Sequence, residues 1–143
     1  MIGLKFVWSF IHPEILKNIL DLVHGVDFYW NISGEVIEKD KESKFPNSLR
    51  CTGNHFYDLA CSSSLRYVYR FHAEAFSTPS VFDPLTTFEA YLNSSCELII
   101  LIDDATIVHV YSKQTDNIQY IYDKLPSYGI EDIVILSQPD NRF

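Results

Sequence analysis

Between Cys96 and Ser112 the chain reads CELIILIDDATIVHVYS, and no other segment limits the fold as tightly. Leu98–Ile102 is apolar at every position. A strand of that kind is covered on both faces and therefore lies inside a sheet rather than at its edge. Thr106–Tyr111 is nearly as apolar, with His109 its only ionisable residue. Asp103-Asp104-Ala105 is a short acidic break between two β-rich runs, which reads as the turn of a hairpin. A hairpin over 98–111 at the middle of a sheet is the expected organising element.

The rest of the chain alternates between the two periodicities. Ile2–Phe10 reads as a strand with Leu4, Phe6, Trp8 and Phe10 on one face and Lys5, Val7 and Ser9 on the other. His12-Pro13 opens a helix, since proline suits the first helical position. Its stripe is Ile15, Leu16, Ile19, Leu20 and Val23, and Gly25 is placed to end it. Asp27–Ile32 reads as a second strand, Ser33-Gly34 as a two-residue turn, and Glu35–Ile37 as a short return strand. Residues 38–50, EKDKESKFPNSLR, read as an exposed charged loop.

Asn54 is expected to cap a short helix over His55–Ala60, which Ser62-Ser63-Ser64 closes. Leu65–Phe76 alternates as a strand, with Tyr67, Tyr69, Phe71 and Ala73 opposite Arg66, Val68, Arg70, His72 and Glu74. Ser77–Pro84 is a loop, and Thr86 with Glu89 forms a capping-box pattern ahead of Phe88, Tyr91 and Leu92. After the hairpin, Thr115 or Asp116 starts a helix whose stripe is Ile118, Ile121, Tyr122 and Leu125. Pro126 ends it, Gly129 turns the chain, Glu131–Ser137 is a last strand, and 138–143 reads as a polar tail. The element order β-α-β-β-α-β-α-β-β-α-β excludes a purely parallel doubly wound sheet. The fold class is α/β in the broad α+β sense: a single mixed sheet with helices packed on it. The last helix should cross right-handed, leaving the strands on either side of it parallel.

Length and composition bound the class. At 143 residues the chain matches the roughly 100–150 of one domain, so 1–143 reads as a single domain. Hydrophobic residues make up 47% and aromatic residues 15%, far too many for a disordered chain. The formal charge of −8 disfavours nucleic acid, whose affinity rests on Lys and Arg against phosphates, and disfavours anionic lipid surfaces. No 20-residue apolar run is present, and the start of the sequence lacks signal-peptide patterning. Cys51, Cys61 and Cys96 have no zinc or redox spacing and read as free thiols. A cytoplasmic location, with no nucleic acid and no membrane as partner, is the expectation.

One constellation carries chemistry. Arg70, His72 and Glu74 alternate onto the same strand face, with Arg66 further along. Arg binds an anion, His moves a proton and Glu orients the imidazole, so the triplet is a weak catalytic candidate. The simpler reading is a solvated face with cross-strand charge pairs. His109 reads as a hydrogen-bonded core histidine, and Asp103-Asp104 as turn chemistry rather than a magnesium site. No nucleotide, metal or nucleophile-elbow motif is present, so no cofactor and no metal are expected. The aromatics Phe28, Tyr29, Trp30, Phe56, Tyr57, Tyr67, Tyr69, Tyr111, Tyr120, Tyr122 and Tyr128 divide between a core rim and a surface patch for a partner.

The opening MIGLKF, the FYWNIS segment and the CELIILIDD…IVHVYS hairpin resemble a small bacterial family of unknown function. The resemblance implies no catalytic residue, cofactor or partner. The residues themselves point to a non-catalytic protein-interaction or regulatory module, with a protein partner or self-association into a homo-oligomer. One version is a small acidic protein that masks a basic partner. The second reading is a small enzyme, or an anion or small-ligand binder, on the Arg70/His72/Glu74 face.

Overall fold

A computed structural model of the chain describes residues 1–8, 14–38, 41–61, 65–79, 85–104, 106–140 and 143, with the backbone alone at 36–38, 41–48 and 65–68. Seven strands form one sheet: β1 (Gly3–Val7), β2 (Tyr29–Glu38), β3 (Lys41–Thr52), β4 (Leu65–Phe76), β5 (Leu98–Asp103), β6 (Ile107–Ser112) and β7 (Val134–Leu136). Their spatial order is β3-β2-β4-β5-β6-β1-β7, which puts β5 at the centre and β6 beside it. The expected central hairpin is therefore present, closed by an Asp104 in the left-handed region (φ 51°) and a hydrogen bond from the Thr106 amide to the Asp103 carbonyl. Every neighbouring pair is antiparallel, so the sheet is not mixed. The expected parallel relationship survives in another form. β6 and β7 both run antiparallel to β1, and so parallel to each other with β1 between them.

Four helices pack on the sheet: α1 (Ile15–Leu22), α2 (Gly53–Ala60), α3 (Phe88–Asn93) and α4 (Thr115–Lys124). The alternation of β5 explains the layering. Leu98, Ile100 and Ile102 face one way and join a core with Leu4, Phe6, Trp30, Ile32, Phe71 and Val110, closed by Leu16 and Ile19 of α1, Phe56 of α2 and Ile118 and Ile121 of α4. Ile99 and Leu101 face the other way, into a smaller core with Phe76, Tyr91, Cys96 and Tyr111, covered by α3, Leu85 and Phe143. Burial of β5 on both faces is the arrangement its unbroken apolar run demands.

Several local expectations change. Most of the expected 38–50 loop is strand: β3 occupies Lys41–Thr52 and pairs along β2 as an edge strand, while residues 39 and 40 lie outside the described residues. Charge and proline disguised it, and both are devices by which edge strands resist further pairing. Pro46 falls where the register slips, between the pairs Ile32 with Leu49 and Gly34 with Phe45, so no ladder donor is lost in regular pairing. Ser33-Gly34 is not a turn; β2 runs through it and pairs with β4 on its other side. Gly25 does not take the left-handed position. His24 does (φ 54°), and Gly25 opens a short 3-10 turn through Asp27.

Thr52 rather than Asn54 caps α2, its hydroxyl accepting from the His55 amide at 3.2 Å. Thr87 rather than Thr86 caps α3, accepting from Ala90 at 3.1 Å, which leaves Glu89 one position too early for a capping box. Beyond α4, Leu125–Tyr128 form the 3-10 turn that Pro126 calls for, and Gly129 (φ 81°) ends it. The first strand's end at Ser9 and Phe10, the His12-Pro13 helix start and Ser62-Ser63-Ser64 lie outside the described residues.

Candidate functional site

The face of the sheet that carries α3 also carries the polar side chains. The strand register sets His72, Leu101, His109 and Lys5 in one cross-strand row, and Asn31, Glu74, Ile99, Tyr111 and Gly3 in the next. Two-residue spacing on β4 brings His72 and Glu74 together as expected: His72 Nε2 lies 2.8 Å from Glu74 Oε2. The same oxygen accepts from the Leu85 amide at 2.7 Å, a partner no side-chain pattern could reveal. Glu74 is 1% exposed, whereas the His72 side chain is 29% exposed, so the carboxylate is the buried anchor and the imidazole the presented group. Glu74 Oε1 is buried, with no hydrogen-bond partner among the described residues.

Arg70 is exposed and makes no bond to either residue. It borders a shallow depression of about 190 Å³ with Ser33, Gly34, His72, Leu101 and Asp103. The candidate triplet is thus a histidine–carboxylate pair with an arginine beside it. Such a pair can orient an imidazole for proton transfer. The side chain of Arg66 lies outside the described residues.

A second pair stands in the same row. His109 is fully buried, as expected of a core histidine, and its Nε2 lies 2.9 Å from Asp140 Oδ2. Lys5 Nζ reaches the same oxygen at 3.2 Å, and the Asp140 amide donates to the Tyr111 hydroxyl at 3.0 Å. Residues 138–143 are therefore not simply a polar tail. Asp140 is bound to three strand side chains, and the Phe143 ring sits edge-on to Tyr111 at 5.1 Å and to Phe88 at 5.3 Å. His72 and His109 do not meet, because Leu101 of β5 stands between them.

Among the described residues, no group of three or more His, Cys, Asp or Glu is arranged to hold a metal ion. Asp103 and Asp104 serve the hairpin turn. Nor do the aromatics gather into one surface patch. Trp30, Phe56, Phe28 and Tyr111 pack in the two cores, and among the described residues no ring contact joins the exposed Tyr29, Tyr69, Tyr120 and Tyr128 to one another.

The three thiols differ sharply. Burial pushes Cys51 up to about 11 and Cys96 up to about 12. Cys96 also donates to the Leu98 carbonyl at 3.3 Å, and only Cys61 is exposed. The thiolate is the reactive species, so a raised pKa suppresses attack at neutral pH. Native protein at pH 7 should release one rapid equivalent in a DTNB assay, from Cys61. Cys51 should follow at a rate that climbs as pH rises toward its pKa, and Cys96 only on unfolding. Three rapid equivalents from folded protein would contradict the burial.

A seven-stranded antiparallel sheet with three helices on one face and a short fourth on the other is an α+β fold, and its polar face carries two histidine–carboxylate pairs. The chain belongs to the family described as Protein of unknown function (DUF2691), which matches residues 1–142. It is similar to the Uncharacterized protein YncE of Bacillus subtilis (strain 168), at 22% identity over 137 residues, covering 96% of this chain and 86% of that one. The resemblance to a bacterial family of unknown function therefore holds. No solved structure matches the chain. Among the described residues, no helix is long and apolar enough to cross a membrane.

Proposed function

We propose that the protein is a non-catalytic interaction module whose docking element is the outer edge of β7, with a second copy of the chain as occupant. The observation that carries this reading is the contrast between the two sheet edges. β3 reads KESKFPNSLRCT, rich in charged residues and interrupted by a proline and a register slip. β7 reads Val-Ile-Leu, with Val134 53% and Ile135 50% exposed, and Val7 of the adjacent β1 is also 53% exposed. An apolar, unguarded edge strand is a template for pairing with another strand. Antiparallel pairing about a two-fold axis at Ile135 sets Val134 against Leu136 of the second copy. The same register sets Glu131 and Asp132 against Pro139 and Gln138, so two acidic chains meet there without facing like charges. Three free thiols favour a reducing compartment such as the cytoplasm as the setting.

Sedimentation equilibrium tests the proposal. Wild type should show a reversible monomer–dimer equilibrium, and Ile135→Lys should shift it to monomer with an unchanged circular dichroism spectrum. Leu92→Lys, which puts the same charge on an equally exposed apolar site of α3, should leave association intact. A wild type that remains monomeric at every concentration, or equal loss in both variants, would overturn the reading.

A further inference from the structure

A separate cavity lies away from the polar row. That cavity lies on the same sheet face at the far end, over β2, β3 and β4, with a volume of about 280 Å³. Tyr29, Phe76 and Pro79 supply apolar surface, and Arg50 and Thr52 are its polar members; Trp30 and Cys51 border it, but strand alternation turns their side chains to the other face of the sheet. The register explains the grouping: Tyr29 stands across from Thr52 on one side and from Phe76 on the other, and Arg50 stands across from Asn31, one step along.

Arg50 is the informative residue. It is exposed, lies against an apolar cavity, and among the described residues has no ion pair. Among the described residues no carboxylate lines the cavity, although acidic residues outnumber basic ones by 19 to 11 along the chain. By contrast, Arg70 shares its depression with Asp103. Thr52 is the cap of α2, so the positive end of that eight-residue helix begins beside the cavity. Its hydroxyl oxygen accepts from His55, which leaves its hydrogen available to an acceptor in the cavity. Concave sites with mostly apolar walls and a few polar groups are the usual form of small-ligand pockets, of roughly 300–1,000 Å³. This one is at the small end of that range.

We infer that the cavity bounded by Tyr29, Arg50, Thr52, Phe76 and Pro79 binds a small amphipathic carboxylate, its apolar body between the Tyr29 and Phe76 rings and its carboxylate on Arg50. The guanidinium fork matches a carboxylate in two parallel hydrogen bonds. The binding is non-covalent: the Cys51 thiol packs against the core on the other face of the sheet, and its burial keeps it protonated at neutral pH. The site is separate from the β7 edge, since β3 and β7 close opposite ends of the sheet.

The test is titration of the full chain with phenylacetate and with hexanoate, followed by calorimetry, with phenylacetamide as the uncharged control. Wild type should bind at least one of the two acids saturably and the amide about tenfold more weakly, as loss of a charge-assisted bond predicts. Arg50→Met keeps an apolar stem at an exposed position. It should lose about tenfold for the acid while its affinity for the amide stays unchanged. Tyr29→Ser should weaken acid and amide together. Failure of both acids to bind wild type, or equal affinity in Arg50→Met, would overturn the inference.

Discussion

Replacing Trp30 by alanine is expected to lower the stability of the fold by about 3–5 kcal/mol, the usual cost of emptying a large aromatic site in a core. Trp30 is 2% exposed, and its ring lies edge-on to Phe56 at 5.1 Å and to Phe28 at 6.1 Å. Phe56 in turn leans on Phe71 at 5.7 Å, so one indole ties α2 and the β2 entry to the middle of the sheet. The indole also donates to the Gly25 carbonyl at 2.7 Å, pinning the 3-10 turn that follows α1. Against a total stability of roughly 5–15 kcal/mol, the loss is a large share of what the domain has. Urea denaturation measures it directly. Trp30→Phe keeps a ring against Phe56 and loses the hydrogen bond together with part of the ring volume, so it should cost about 1–3 kcal/mol, less than the alanine variant. An alanine variant within 1 kcal/mol of wild type would mean that this aromatic chain does not join the helices to the sheet.

What could be read from the residues alone follows from how local each signal is. The apolar run of β5, the stripe of α1 and the alternation of β4 each state their own burial, and all three stand where periodicity places them. His72 with Glu74 was legible for the same reason, since two residues along a strand return to the same face. β3 was not, because an edge strand that must resist pairing is written in the same charged residues as a loop. Asp140 gave no signal either: its partner His109 is 31 residues away, and only the finished sheet brings His109 and Lys5 into one row beneath it. Strand direction was hidden likewise. The sheet is antiparallel throughout because β1, from the start of the chain, inserts between β6 and β7. No local pattern near those strands announces that insertion.

Gly34→Ala is the second substitution with a large expected effect, on the order of 3 kcal/mol from backbone strain and overpacking together. Gly34 holds φ at 149°, a region that residues with a side chain rarely adopt. A Cβ there would collide with the Arg70 carbonyl oxygen and come within 2.9 Å of the Phe71 Cα. Both obstacles are backbone, so no rotamer change relieves them. The position is where β2 slips register against β3, while it stays paired with Phe71 of β4. Glycine thus lets one strand serve two neighbours that are out of step with each other. Ser33→Ala beside it removes only a half-buried hydroxyl and should stay within about 0.5 kcal/mol. Amide exchange distinguishes the mechanism from general destabilisation. In Gly34→Ala the pairing of Gly34 with Phe71 and Glu35 with Arg70 should lose protection first, while Trp30 with Ala75 at the other end of the same strands keeps it. Because Gly34 and Arg70 also border the depression beside His72, that local opening would loosen Arg70 and leave the cavity at Arg50 intact. Uniform loss of protection along β2 would show instead that the strand opens as one unit and that the glycine sets its overall stability rather than its register.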